Sequence, residues 1–488
     1  MRTSGRFFLL AVAVLGLFSG FAKQAYAADG SVWAWGHNSC GQLGNATDSG
    51  CASDVFHQAA PVQVIGLNDV VAVEGGLTHS IALRSDGTVW SWGRNEFKAL
   101  GNGSREMLSN VPVQTRNLGN VVAVAAAVEF SLALRSDGTV WAWGINTSSV
   151  LAEPYPVPYE SLPVQIQGLG NVVAIAASGY SAMALRGDGT VWCWGSNGKG
   201  QLGDGSSVSD SAAPVMVRNL ANVVAIAAGY NFKAALRTDG TVWAWGEKLI
   251  CGTAENSNVP VQIAGISDVV SIVAGDSHII ARKSNGTVWS WGADTNCKLG
   301  NSTCTNKSTP TEVVAVSGAI AFAPGAYHSV ALKPDGTVWA WGWNVVGELG
   351  DGTETDRRTA VQALGLDGVT RIGAGDMHTL AAKGNISHSA TLYDGLHIHI
   401  PVLNLLGYPL SVDLEYVPST DANLLFRFIG DGSAFPDPNG AIVLVRSNTI
   451  LLHIPSLLME PYSFWCNLEY VPSNDGNLWF RLQSIGQN

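Results

Sequence analysis

Short apolar runs broken by Asp-Gly pairs dominate residues 29–385, as where Ile81-Ala82-Leu83-Arg84 leads through Ser85-Asp86-Gly87-Thr88 into Val89-Trp90-Ser91-Trp92. Asp-Gly accepts positive φ and closes a tight turn between paired strands, so the stretch predicts a β-hairpin. Successive side chains of a strand point to opposite faces. Trp90 and Trp92 therefore share a wide face, and Val89 and Ser91 a narrow one.

The outgoing half of this hairpin recurs as an octapeptide, Asp29 to Gly36, Asp86 to Gly93, Asp137 to Gly144, Asp188 to Gly195, Asp239 to Gly246, Asn285 to Gly292 and Asp335 to Gly342. First positions step by 57, 51, 51, 51, 46 and 50 residues, which makes the seven copies a tandem array. Every copy carries the two indoles on one face and Val with Ala, Ser or Cys on the other. Sheets patterned in this way stack bulky side against slim side, as blades of a propeller do. The ends of the array predict how it closes. Val32-Trp33-Ala34-Trp35 has no incoming strand before it, and His378-Thr379-Leu380-Ala381-Ala382-Lys383 has no Trp strand after it. The expected fold is an all-β, seven-bladed β-propeller over residues 28–387, sealed by pairing of the strands near Trp33 and Leu380.

Further motifs keep a fixed order within each repeat. Gly-x-Leu-Gly follows the Trp strand at Gly41 to Gly44, Gly200 to Gly203 and Gly347 to Gly350. Pro-Val segments follow at Pro61, Pro112, Pro163, Pro214 and Pro260. Gly-x-x-His opens the incoming strand at Gly76 to His79, Gly275 to His278, Gly325 to His328 and Gly375 to His378. On these motifs residues 29–385 resemble the regulator of chromosome condensation repeat family, and the resemblance implies a seven-bladed propeller. The chain departs from the pattern in its third copy, which lacks Gly-x-Leu-Gly, and at Phe130, Ser181 and Phe232, which replace the His. The family's founder promotes nucleotide exchange on a nuclear GTPase, an activity not expected of an exported acidic chain. A photoreceptor of this type uses Gly-Trp-Arg-His-Thr. The matching segments Gly76-Leu77-Thr78-His79 and Gly375-Asp376-Met377-His378-Thr379 hold neither Trp nor Arg, so light sensing is not expected.

A second repeat begins beyond Asn385. His399-Ile400-Pro401 returns as His453-Ile454-Pro455, Leu414-Glu415-Tyr416-Val417-Pro418-Ser419 as Leu468-Glu469-Tyr470-Val471-Pro472-Ser473, and Asn423 to Arg427 as Asn477 to Arg481, all offset by 54. Alternation at Val412, Leu414 and Tyr416 predicts half-buried strands. Residues 388–488 are expected to form a small antiparallel β-domain of two similar halves.

Composition adds compartment and charge. Arg2 and Arg6 precede an apolar run from Phe7 to Phe18, and Ala25-Tyr26-Ala27 offers a cleavage site, so residues 1–27 read as a signal peptide. The product is expected to be secreted or periplasmic. Its removal takes Arg2, Arg6 and Lys23, moving the net charge from −11 to −14. Nucleic-acid binding, which needs a basic stripe, is disfavoured. Among seven Cys, Cys40 with Cys51 and Cys297 with Cys304 are close in sequence and similar in repeat register, predicting two disulfides. Cys193 reads as a free core thiol, and Cys251 and Cys466 have no evident partner.

The histidines His79, His278, His328 and His378 fall in separate blades beside Gly turns, where backbone hydrogen bonding is expected and metal binding is not. His397 and His399 share a strand face without an accompanying carboxylate or Cys cluster. No catalytic triad, His-Glu-x-x-His or phosphate loop stands out, so the chain is expected to be non-catalytic and to use no cofactor. Binding remains. Trp-Gly loops and Gly-x-x-His starts share one rim, which carries Asn38, Arg94, Asn95, Asn146, Asn197, Glu247, Asp294, Trp343 and Asn344, with Tyr180, Tyr230 and Tyr327 beside them. Exposed aromatics anchor interfaces, so Trp343, Tyr327, Arg94 and the third-blade pair Tyr155 and Tyr159 are the expected binding residues. An unidentified protein partner is the first expectation. A glycan-binding or envelope-binding surface protein, meeting an envelope polysaccharide, is the alternative, and hydrolase activity in the C-terminal domain a third.

Overall fold

The computed structural model describes residues 30–383 apart from 52–55, 152–158 and 207–209, and the backbone of the strands lying between 397 and 487. The expected signal segment and Tyr155 lie outside the described residues. Each blade is a four-stranded antiparallel sheet, and there are seven among the described residues. Numbered by its repeat copy, blade 2 consists of Val70–Gly75, His79–Arg84, Val89–Arg94 and Leu108–Gln114. Blade 1 joins the two ends of the array: Val369–Ala374 and His378–Lys383 are completed by Val32–His37 and His57–Gln63. Trp33 lies opposite Ala381 and Ala34 opposite Leu380. The two strands left single by the sequence complete one another, as expected.

Wide and narrow faces interlock at every junction. Val338 and Ala340 of blade 7 share a core cluster with Trp33 and Trp35 of blade 1, and Val32 and Ala34 of blade 1 with Trp90 and Trp92 of blade 2. The same arrangement recurs at the other five junctions. The two indoles of a pair have different fates. The second is fully buried in every blade, and its Nε1 donates to a carbonyl in the loop of the preceding blade: Trp92 to Gln42, Trp143 to Ala99, and around the ring to Trp35, which donates to Glu348 at 2.9 Å. The first is half-buried. In blades 2 to 7 its Nε1 donates to the turn threonine, as Trp141 does to Thr139, where Arg135 stacks over the ring; in blade 1 the turn residue is Ser31 and Trp33 Nε1 has no hydrogen-bond partner among the described residues. Thr139 donates in turn from its hydroxyl and amide to Asp137, and these bonds hold the Asp137 carboxyl below its ordinary value.

The histidines bridge blades through hydroxyls instead of backbone, which corrects the sequence reading. His79 Nε2 meets Ser131 Oγ of blade 3 at 3.0 Å, His278 meets Ser329, His328 meets Thr379, and His378 meets Ser80. Each hydroxyl donates onward to a loop carbonyl, as Thr379 does to Glu348 O, so it accepts from the imidazole and fixes the Nε2–H tautomer. Strand register places Phe130 and Phe232 at the His position, and Ala182 and Ile279 where the hydroxyl would stand. An apolar pair there replaces a polar one.

Burial lowers the His328 pKa from 6.5 to about 3, so the folded chain resists a proton that the unfolded chain accepts. Between those values unfolding takes up one proton. Stability therefore falls as pH falls, by about 1.4 kcal/mol per pH unit for this group. Copying the apolar junction with His328→Phe and Thr379→Ala should make the loss of unfolding free energy between pH 6 and pH 4 shallower by that amount. Urea titrations at several pH values read the slope directly. An unchanged slope would refute the neutral buried assignment.

Cys40–Cys51 and Cys297–Cys304 are disulfides, and Cys193 and Cys251 are free and buried. The residues beyond 386 form a separate unit containing one seven-stranded antiparallel sheet. Its strands His397–Leu405, Tyr408–Val417 and Leu425–Ile429 are matched by Thr449–Met459, Tyr462–Val471 and Trp479–Gln487. Phe426 pairs with Phe480, its own equivalent under the 54-residue offset, so the halves meet about a local twofold. His397 and His399 lie in an edge strand of the sheet.

Candidate functional site

The rim that carries the Trp-Gly loops and Gly-x-x-His starts is organised by residues the sequence reading had treated as variable surface. Asn38, Asn95, Asn146, Asn197, Asp294 and Asn344 are buried, and each Oδ1 accepts the amide of the Leu five residues later. They shape loops and leave the contact surface to their neighbours. The spacing Asn-x4-Leu was the available signal. In blade 5 a short helix, Lys248–Cys251, takes the place of this loop, after Glu247.

At the centre of the rim the inner strands surround a narrow axial cavity of about 90 Å³. Its wall is mostly Gly and Ala, and three carboxylates, Glu74, Asp276 and Asp376, line it. Glu74 is exposed on the wall of the channel. Desolvation pushes its pKa up to about 7. Asp376 is raised well above the ordinary value by burial, with Asp276 and Glu129 adding negative potential. Asp276 is raised by burial too, against the hydrogen bond from Ser178 Oγ at 3.2 Å and the cations Lys298 and Lys233. Sequence reasoning missed this site, although Asp directly after the Gly of Gly275-Asp276 and Gly375-Asp376 was visible.

Aromatics flank the opening. Tyr327 and Trp343 pack edge to face at 5.3 Å, and Tyr180 and Tyr230 at 6.1 Å. Tyr230 and Tyr327 are 36% and 37% exposed, enough ring for a partner to cover. Val345, two residues after Trp343, is exposed. Of the expected binding residues, Trp343 and Tyr327 are thus brought together. Tyr159 is exposed and begins the outer strand of blade 3, Tyr159–Gln165. Arg94 lies at the blade 2–blade 3 junction, paired with Glu96 and with the buried Glu129 at 3.5 Å, and it stacks on Phe97. Burial pushes Glu129 up to about 7, with Arg94 opposing the rise. Lys298, buried, donates from Nζ to Ser277 Oγ and Ala326 O, both at 2.7 Å. No group of three His, Cys, Asp or Glu among the described residues is arranged to hold a metal ion, and no described helix is long and apolar enough to cross a membrane.

The RCC1-like domain family matches residues 121–389, and the regulator of chromosome condensation (RCC1) repeat family matches residues 29–83 and 86–134. The chain is 30% identical over 246 residues to the mitochondrial RCC1 domain-containing protein RUG3 of Arabidopsis thaliana, covering 46% of this chain and 52% of that protein. It is 27% identical over 258 residues to the protein pim1 of Schizosaccharomyces pombe, covering 48% of this chain and 46% of that one. The match thus spans about half the length of these curated relatives. Among solved structures, human WBSCR16 superposes with a TM-score of 0.66 at 20% identity, covering 73% of this chain and 100% of that one. Prp20p of Saccharomyces cerevisiae, described with its binding properties to Gsp1p and histones, gives 0.65 at 22% identity, covering 76% and 95%.

Proposed function

Since this chain belongs to the regulator of chromosome condensation repeat family, we propose that it is an exported, non-catalytic scaffold that holds a protein partner on the rim around the axial opening. The observation that carries the reading is the pairing of Tyr327 with Trp343 and of Tyr180 with Tyr230 beside that opening. Large, partly exposed rings with few rotatable bonds supply contact area at low entropic cost, and such residues dominate interface energetics. Partner binding by Prp20p, which shares this fold, supports a binding role for such a propeller. The two disulfides accord with an oxidising compartment.

Affinity capture from envelope and culture fractions with the full chain tests the reading. Trp343→Ala and Tyr327→Ala should each reduce retention of a captured protein at least about tenfold, the effect of an interface anchor. A Tyr159→Ala chain, altered at the start of the outer strand of blade 3, should lose less. Capture indifferent to Trp343 and Tyr327, or retention of a polysaccharide instead of a protein, would overturn it.

A further inference from the structure

The Asp-Gly turns form the rim opposite the aromatic pairs, and one junction on it departs from the other six. In those six, the residue before the Arg or Lys that leads into the turn shares a core cluster with the first Val of the next blade's inner strand. The pairs are Leu83 with Val121, Leu134 with Val172, Leu185 with Val223, Leu236 with Val269, Leu332 with Val369, and Ala382 with Val70. Blade 6 carries Arg282 at this position, opposite Val288 as Leu83 is opposite Val89. Blade 7 carries Ala319 in place of the Val, two residues before Ala321, which lies opposite Leu332 as Ala123 lies opposite Leu134. A long cation and a shortened neighbour thus replace an apolar contact at one place.

Three further departures fall at the same junction. Copy six begins with Asn285 where the other six copies have Asp, so the acid that pairs with Arg84, Arg135 and Arg237 in their blades is missing here. A Cβ at Gly87, Gly138, Gly189, Gly240 or Gly336 would meet the next blade's backbone at 2.9–3.4 Å, whereas one at Gly286 has nothing within 4 Å. The blade 6 turn is tied to the following segment by Gly318 N, which donates to Gly286 O at 3.1 Å, and open space lies beside it. Arg282 itself is half-buried, and its Nε is buried with no hydrogen-bond partner. No ion pair reaches it among the described residues, and burial lowers its pKa. A cation held in that way is costly, and an anion entering the cleft relieves the cost.

The guanidinium defines that anion. Its Nε and one Nη form a planar fork that matches the two oxygens of a carboxylate. One cation balances one monoanion, whereas a phosphate dianion asks for further donors. Lys283 supplies none, because it points to the other face of the strand and lies over the Trp289 ring. Val314 and Ile320, 74% and 43% exposed, belong to the segment that borders the cleft, in which Val313 N donates to Val288 O and Ile320 N to Leu332 O. Aliphatic carbons behind a carboxylate would meet apolar surface there. We propose that the cleft between the turn of blade 6 and the inner strand of blade 7 binds a carboxylate on a short aliphatic stem, its oxygens on Nε and an Nη of Arg282. The site lies on the rim opposite Trp343 and stands independently of the partner reading.

The test measures binding of butyrate to the full chain by ligand-observed NMR titration, beside butyramide and inorganic phosphate. Butyrate should bind at least tenfold tighter than either. Arg282→Leu, which installs the residue of five other blades, should abolish that binding without lowering the urea midpoint, so the loss is not unfolding. Ala319→Val refills the space beside the guanidinium and should abolish it too, with Arg282 still in place. Equal binding of butyramide or phosphate, or butyrate binding that survives Arg282→Leu, would overturn the proposal. An acetyl-Gly-Leu peptide with a free terminus, compared with its amide, separates the sources of the carboxylate. Binding tighter than butyrate and lost with Arg282→Leu upholds the site and assigns it to a chain terminus, and binding weaker than butyrate upholds it for a small free acid.

Discussion

Gly350→Ala should destabilise the propeller by about 3 kcal/mol or more, while Gly66→Ala should cost only about 1. Both glycines adopt positive φ, +72° at Gly350 and +69° at Gly66, so an alanine at either meets the same backbone penalty. Their surroundings differ. A Cβ at Gly66 has nothing within 4 Å, whereas one at Gly350 meets the Trp35 ring, with Nε1 at 2.7 Å. Trp35 is fully buried and donates to Glu348 O across the junction that closes the ring, 313 residues away in sequence. The added carbon forces the indole to shift, which strains or breaks that bond and leaves a buried donor and acceptor exposed to loss. Urea unfolding of both variants separates the two costs. Equal losses would mean that the final Gly of Gly-x-Leu-Gly serves backbone conformation alone, and not the seat of the next blade's indole.

The same contact explains how much of the fold was open to sequence reasoning. Alternation of Trp with small residues specifies which face is wide, and the unpaired strands at Trp33 and Leu380 specify closure. Both are local signals whose structural consequence is forced by period-two geometry. The role of Gly350 is not local, because its reason lies in a side chain of the neighbouring blade. The departures at Phe130 and Phe232 are similar: each looks like an irregularity until Ala182 and Ile279, in the next blade, are seen opposite them. The candidate site was legible in part. Trp343 and Tyr327 stand out as aromatics on loops. Asn38 and its equivalents misled, since a polar loop residue reads as surface until its bond to the amide five residues on is known. Glu74, Asp276 and Asp376 come from three blades and form a site only through the ring's symmetry, so no spacing in the chain brings them together.

The seventh junction, of a third kind, leads to the other large effect. Register puts Ser181 at the His position of blade 4 and Lys233 at the hydroxyl position of blade 5. Lys233 is fully buried, donates one bond to Gly229 O, and has its pKa lowered by burial from 10.5 to about 8. The unfolded chain therefore holds a proton between pH 8 and pH 10.5 that the folded chain has released, and stability gains about 1.4 kcal/mol per pH unit across that window. Lys233→Met fills similar volume without charge. The variant should be more stable than the parent at pH 7, by about 1–3 kcal/mol, because a buried ammonium with one acceptor is replaced by a packed apolar chain. That advantage should shrink by about 3 kcal/mol as pH rises from 8 to 10.5, since the parent alone sheds a proton there. Guanidinium unfolding of both chains across this range measures the difference. A difference constant with pH would show that Lys233 keeps its proton in the folded blade as it does in the unfolded chain, its charge compensated there.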